Sequence, residues 1–559
     1  MDLYPVKAQF LSGEEVELCL DADGHICEYA EVSIYHLNDL VYRQKVADFI
    51  GNILISVGKY DITFAGYGAS VTVCTGNTRI LLDTAFDVVD NPKRSLRYGF
   101  LSDFTQDDAD NGAVEWLNKC HINMVQYYDW SYRHDHLVTD QEFYTDMMGK
   151  PISRKTVKDK IEKCAEHGMH SIAYGAIYAA SKPFFEKHTN WALYNSCQKP
   201  FVFIDVFYIM NIAKDSPWRH HLIAEYRKAI TKMGFAGIHM DTYGFPKTAY
   251  SHLEEKPELI RLDQEIPSLI NQTREELAGA NQDPYLIFNN VGNWPVYSTA
   301  AAKQDAVYIE VWNPYERYSH TAQLIDEARQ LSGGQRPIIL AAYLEPFRKD
   351  SRERAMNAAR ILTAAIVSNG AYHLLQGENQ AVLTQGYYSD YTRLSEKDAA
   401  ILRRCNDFMI RYLDLFYDEE LRNVSMTHMG WDNYEYQCQS HPVSTYGEAN
   451  KLWLTIREKE LRKCLYFVNL CGCENDYWNK GKDTPIPQEN IRIVVQVDSP
   501  VKGVYAASPD REAMQAQAIQ YTDFESDKGA FIEFVLPRIG YWTVCLLYTS
   551  PSPRDRQKS

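Results

Sequence analysis

The chain has 559 residues, 45% hydrophobic and 24% charged, the proportions of a globular protein with material for a large core. Its 58 basic and 74 acidic residues leave a formal charge of −16, which disfavours nucleic-acid backbones as partners. No stretch approaches the ~18 apolar residues of a membrane span. The 39 tyrosines suit either stacking on a ligand or half-burial in β-sheet.

From residue 1 to about 92 the pattern is of short strands (16–20, 32–35, 66–73, 78–83) between Gly and Asp-Gly turns, which predicts a β-sandwich. The first residues, MDLYPVKAQF, show neither a basic leader nor an apolar core, so a cytoplasmic location is expected as the chain is written, and secretion if the true start lies upstream. Asn91-Pro92-Lys93-Arg94 reads as a boundary.

Between 93 and 425 apolar strands alternate with helices. Strands are expected at 98–104, 123–128, 170–175, 236–241, 285–290, 306–310, 337–344 and 371–376, with helices at 111–119, 156–167, 216–233, 320–331 and 352–367. Ser216-Pro217 is a good helix start, with Ser as N-cap and Pro in the first turn. Eight strand–helix units in this length predict a (β/α)8 TIM barrel, so the class is multidomain α/β plus all-β. A doubly wound sheet is the alternative, but no GxGxxG or GxxxxGK[ST] loop follows a strand. Strands return from 426 to 547 (453–456, 464–469, 491–496, 530–536, 542–547) as a second β-sandwich. Residues 548–559, YTSPSPRDRQKS, read as a disordered or non-native tail.

Barrel active sites are assembled at the carboxyl ends of the strands. Those ends carry Tyr128, Asp129 and Trp130 with His134 beyond; Asp241; Asn290 with Trp294 beyond; Glu310 with Trp312; Glu345; and Gln376. Carboxylates, amides and rings without lysine weaken Schiff-base and phosphate readings. They suit glycoside hydrolysis, in which one carboxyl protonates the leaving oxygen and another attacks or stabilises the anomeric centre. Asp241, Glu310 and Glu345 are the candidate carboxylates. His134-Asp135-His136 lies in a loop, and no His or Lys closes the fifth, sixth or eighth strand to complete a cage. The 12 cysteines form no CxxC pair and read as buried thiols of a reducing compartment. No HExxH or GxSxG occurs, and neither metal nor cofactor is expected.

The runs NMVQYYDWSYRHD (123–135), GFAGIHMDTYG (234–244), AVYIEVW (306–312) and LLQGENQ (374–380) resemble glycoside hydrolase family 66, which contains endo-acting dextranases and cycloisomaltooligosaccharide glucanotransferases. The resemblance covers nearly the whole chain. It implies an Ig-like N-terminal sandwich, the barrel and a C-terminal sandwich, with Asp241 as nucleophile and Glu310 as acid/base of a retaining mechanism on an α-1,6-glucan or isomaltooligosaccharide. Tyr128, Asp129, Trp130, His134, Asn290, Trp294, Trp312, Glu345 and Gln376 are the expected sugar contacts. Trp312 and a charged Asp241 are expected to raise the Glu310 pKa. Cyclising members carry a carbohydrate-binding module inserted in the catalytic region. Only about 25 residues separate the seventh and eighth strands here, so hydrolysis is expected over cyclisation. A catalytically silent glucan-binding protein is the alternative from another class. The sequence leaves the oligomeric state open.

Overall fold

The structure is a computed structural model that describes residues 1–110, 112–279 and 283–550. The N-terminal region forms two mainly antiparallel sheets. One pairs Asp2–Pro5, Glu15–Cys27 and Phe49–Lys59; the other centres on Thr78–Val89, Phe64–Thr75 and Tyr29–His36. Alternating apolar residues such as Val16, Leu18, Leu20, Val71 and Phe86 share the core between them.

The central region is built on a curled eleven-stranded sheet, counted among the described residues. Eight of its strands run parallel in chain order: β1 (Tyr98–Leu101), β2 (Met124–Tyr127), β3 (His170–Ala176), β4 (Gly237–Asp241), β5 (Tyr285–Val291), β6 (Ala306–Glu310), β7 (Ile338–Ala341) and β8 (Tyr372–Leu374). Just past β8, Gly377 pairs in parallel with Phe100 of β1, so the last segment returns to the first. All eight expected strand segments are present. Such strands are apolar on both faces because helices cover the outside.

The crossovers include α1 (Ala113–Lys119), α2 (Arg154–Glu166), α3 (Pro217–Lys228), α4 (Leu262–Leu277), α5 (Val296–Thr299), α6 (Tyr318–Leu331) and α7 (Arg352–Ser368). Residue 111, the expected start of α1, lies outside the described residues. α3 begins at Pro217 with Ser216 as its N-cap residue and continues as a wider turn to Met233, where Gly234 at φ 94° ends it. β5 and β6 are joined by the single turn of α5. Two small antiparallel sheets interrupt the alternation beyond β3 and β4. One of them contains the hairpin Val202–Phe203/Phe207–Ile209.

The C-terminal region has two further, mainly antiparallel sheets. One includes Leu452–Lys459, Arg462–Asn469 and Trp542–Thr549; the other includes Gln488–Gln496 and Gly529–Ile539. The final strand runs through Tyr548, which pairs with Arg462, and Thr549. It thus extends two residues into the stretch expected as tail, while 551–559 lie outside the described residues. No helix among the described residues is long and apolar enough to cross a membrane.

Candidate active site

Side chains alternate along a strand, so residues two apart share the interior of the curled sheet. On β4 these are His239 and Asp241, on β6 Tyr308 and Glu310. On β5 between them they are Ile287 and Asn289. At the carboxyl ends of these strands lies a cavity of about 370 Å3 lined by Asp241, Asn289 and Glu310.

One amide links the two acids. Asn289 Nδ2 donates to Asp241 Oδ1 at 2.7 Å and to Glu310 Oε2 at 3.0 Å, which caps the separation of those carboxylate oxygens at 5.7 Å. Tyr174, from β3, donates its hydroxyl to Asp241 Oδ2 at 2.6 Å. Burial raises the Asp241 carboxyl above its ordinary range, and the bonds from Tyr174, Asn289 and the Thr242 backbone oppose that rise. Burial and then the neighbouring Asp241 push Glu310 up to about 7, against hydrogen bonds from Asn289, Tyr343 and Trp312. Hydrogen bonds on both oxygens favour the charge at Asp241, which leaves the proton to Glu310.

The other oxygen of Glu310, Oε1, faces Gly386. A Cβ built on that glycine would lie 3.1 Å from Oε1 and 3.5 Å from the Trp312 ring. The neighbouring Tyr388 hydroxyl bonds those of Tyr308 (2.9 Å) and Tyr343 (3.1 Å). Tyr128 stacks on the Tyr388 ring with centroids 4.5 Å apart, and its hydroxyl donates to the Gly386 carbonyl at 3.3 Å.

A third acid lines the cavity. Asp129 is 7% exposed and sits at φ 52°, a left-handed backbone that side chains rarely adopt. Burial, with Asp146 and Asp241 adding to it against Lys150, pushes its carboxyl to about 8. Two buried histidines are held neutral: burial lowers His134 to about 4 and His239 to about 3. His239 Nδ1 bonds the Tyr98 hydroxyl at 2.7 Å. His134 Nδ1 has no hydrogen-bond partner among the described residues.

The model of glycosyl hydrolase family 66 matches residues 5–546. The chain belongs to that family. A cycloisomaltooligosaccharide glucanotransferase of Niallia circulans is 20% identical to it over 712 residues, covering 97% of this chain and 71% of the relative. A dextranase of Streptococcus salivarius is 21% identical over 378 residues, covering 58% of this chain and 45% of the relative. The crystal structure of a Paenibacillus sp. cycloisomaltooligosaccharide glucanotransferase complexed with cycloisomaltoheptaose superposes with a TM-score of 0.88 at 19% identity, covering 98% of this chain and 99% of that one. At that identity the likeness concerns the fold alone.

Of the residues expected in this family 66 site, Tyr128, Asp129, His134, Asp241, Glu310 and Trp312 line the cavity together. The others do not. Trp130 is fully buried, donates to the Tyr174 carbonyl at 3.1 Å and packs on Phe235, outside the strand layer. Asn290 is one residue out of phase: it bonds Tyr308 O and accepts from Thr299 of α5, while Asn289 takes the interior position. Trp294 lies under the Lys247 ammonium, 3.6 Å from its ring centroid. Glu345 caps the one-turn helix Pro346–Lys349 and pairs with Lys349. Gln376 bonds Asn406 at 2.6 Å and lines a different, smaller pocket with Cys120.

The residues of His134-Asp135-His136 point apart. His134 enters the cavity, Asp135 accepts from the Ser181 backbone at 2.6 Å, and His136 is half exposed beside Glu225. No cluster of three or more metal-ligating side chains occurs among the described residues. Sequence reasoning read Asn289 and His239 at strand ends without choosing them as site residues, and it missed Tyr174 and Tyr343, all on or just beyond strands whose alternation could have placed them. It also missed the wall supplied by Phe203 and Phe207 and the loop carrying Gly386 and Tyr388, for which no local signal exists.

Proposed function

We propose that this chain is an endo-acting, retaining α-1,6-glucan hydrolase, a dextranase that cleaves dextran or isomaltooligosaccharides through a covalent glycosyl-enzyme. The observation that carries the reading is the shared amide of Asn289, which holds the Asp241 and Glu310 oxygens within 5.7 Å. Retaining glycosidases keep their carboxyl groups about 5–5.5 Å apart, whereas inverting ones need about 6.5–9.5 Å to admit a water. The substrate class follows that of the family 66 relatives, a dextranase and a cycloisomaltooligosaccharide glucanotransferase.

In this mechanism Asp241, ionised and oriented by Tyr174 and Asn289, attacks the anomeric carbon while Glu310 protonates the departing glycosidic oxygen. The leaving chain departs, and a β-linked glycosyl ester on Asp241 remains. Glu310, now a carboxylate, takes a proton from water, which attacks the same carbon and restores the α configuration. Tyr128, Asp129, His134 and Trp312 are proposed sugar contacts, since they line the cavity with the acids. The framework we propose is a closed (β/α)8 barrel over residues 93–425, between an Ig-like sandwich (1–92) and a second sandwich (426–547). The pairing of Gly377 with Phe100 supports that closure.

The second reading is a cycloisomaltooligosaccharide glucanotransferase, favoured by the names of two curated relatives. Against it, the alignment with one of them is 712 residues long while this chain has 559, so well over a hundred residues of that relative face gaps here. Between β7 and β8 this chain carries only the turn Pro346–Lys349 and α7. Incubation with dextran, pullulan, starch and cellulose separates the readings. Linear isomaltooligosaccharides from dextran alone, first appearing as the α-anomer by proton NMR, are expected. Cyclic products would favour the transferase, and a β-anomer first product would end the retaining assignment. Dextran binding without products from the wild type would favour a silent binding protein. Asp241→Asn should fold and bind dextran without cleaving it.

A further inference from the structure

At the other end of the strands, where β7 and β8 begin, lies a small pocket of about 40 Å3 walled by Pro337, Gly370, Tyr372 and four arginines: Arg94, Arg329, Arg336 and Arg457. A water needs only about 10–15 Å3 of such space, so the pocket has room for something larger. It sits at the junction of α6, which carries Arg329, with the C-terminal strand Leu452–Lys459, which carries Arg457.

Two of the guanidiniums approach each other, and the one acid that acts on both, Asp326, is hydrogen-bonded to Arg329 alone among the described residues. A Cβ built on Gly370 would lie 2.7 Å from Arg329 Nη2 and 3.0 Å from Arg457 Nη1, so those nitrogens are at most 5.7 Å apart. Arg457 is 3% exposed, and among the described residues its one side-chain hydrogen bond runs from Nη1 to the Phe416 carbonyl. Its Nε and Nη2 meet no acceptor among the described residues. Arg329 donates to Asp326 (3.2 Å) and to the carbonyls of Asn369 (2.9 Å) and Gly370 (3.2 Å). Burial and then the Arg457 charge pull Arg329 down to about 10 in spite of Asp326.

The two acids on the pocket wall pair with cations other than Arg329 and Arg457. Asp418 pairs with Lys459 at 2.6 Å and Arg462 at 3.7 Å, and Glu419 with Arg94 at 3.6 Å. Arg329 is partly open, with 29% of its side chain exposed, so like charges with spare donors face the pocket, where a counter-charge would relieve their repulsion.

We propose that this pocket binds a small inorganic anion, a halide or a tetrahedral oxyanion, held between Arg329 and Arg457. The anion accepts from Arg457 Nε and Nη2, cancels the repulsion between the two guanidiniums and clamps α6 to the C-terminal strand. The planar fork of a guanidinium suits such a ligand.

The test is thermal unfolding of the full chain at constant ionic strength, with sodium gluconate as the background salt. Chloride, sulfate and phosphate are titrated separately, the first testing the halide and the other two the oxyanion. At least one should raise Tm saturably, by about 2 °C at roughly hundredfold excess over its Kd. Arg329→Gln should lose that increment while still folding and cleaving its substrate below the transition. An equal rise in wild type and Arg329→Gln, or no saturable rise with any of the three, would overturn the proposal. Should Arg329→Gln fail to fold, crystals of the wild type grown with bromide or with selenate decide. An anomalous peak between Arg329 and Arg457 is expected, and its absence with both ions overturns the assignment.

Discussion

Gly386 stands against Glu310 so closely that a methyl group on it would lie 3.1 Å from Oε1. Asn289 donates to the other oxygen, Oε2, so the acidic proton is expected on Oε1, beside which Gly386 leaves room. Gly386→Ala is therefore expected to displace the carboxyl by a few tenths of an ångström. It should lower kcat by roughly ten- to a hundredfold with a smaller change in KM, since misplaced catalytic groups cost rates of that order. Steady-state kinetics on dextran check this; a wild-type kcat would show that the proton does not leave from that side.

Asn289 serves both acids, so its removal should act on both. Asn289→Ala deletes two hydrogen bonds to carboxylates, each worth about 1.5–3 kcal/mol to the charged form. The pKa of Asp241 and that of Glu310 should both rise. Because Asp241 must be ionised to attack, the acidic limb of the pH–kcat/KM profile should move to higher pH, with kcat down by one to two orders of magnitude. An unmoved acidic limb would remove Asn289 from the machinery.

The position of Asn289 also shows where sequence reading reaches its limit. The strand 285–290 and the acids at 241 and 310 are legible, because apolar runs end in polar residues at a barrel rim. Which of two adjacent asparagines faces inward depends on strand phase. Ile287, packed in the interior cluster with Tyr98 and Tyr308, sets it at 289 rather than 290. Trp130 and Trp294 stand close to strand ends in the chain, but their rings turn into the layer outside the strands or onto Lys247, which only packing reveals. Gly386 and Tyr388 reach the site from a loop beyond the eighth strand. Phe203 and Phe207 come from a hairpin beyond the third. Long-range placement of this kind leaves no periodic trace in the residues themselves.

Glu310 predicts the alkaline side of the activity profile. With burial and Asp241 holding its carboxyl up to about 7, the protonated acid needed for leaving-group departure predominates below that pH and is lost above it. The kcat/KM for dextran should fall as pH rises through about 7. Glu310→Gln should lose this limb, and its residual activity should favour aryl glycosides whose leaving groups need no proton. A Glu310→Gln enzyme with an unchanged profile on dextran would show that another group donates the proton.

Arg97, just before β1, fastens the N-terminal sandwich to the sheet. Its guanidinium donates to both oxygens of the fully buried Asp87 (2.8 and 3.0 Å), to the carbonyls of His121 (2.7 Å) and Ala8 (2.6 Å), and to the Ser95 hydroxyl (2.8 Å). Replacing it by Met would leave the Asp87 carboxylate buried with Gln9 as its remaining side-chain donor. Breaking a buried pair in this way costs about 3–5 kcal/mol, more than the pair contributes over an apolar replacement. Arg97→Met should therefore lower the midpoint of the first unfolding transition clearly. The double variant Asp87→Leu/Arg97→Met should recover part of that loss, since it carries no unpaired charge. Urea unfolding followed by tryptophan fluorescence measures both. A double variant no more stable than the single one would mean that the bonds from Arg97 to the backbone, rather than the buried charge of Asp87, set the cost.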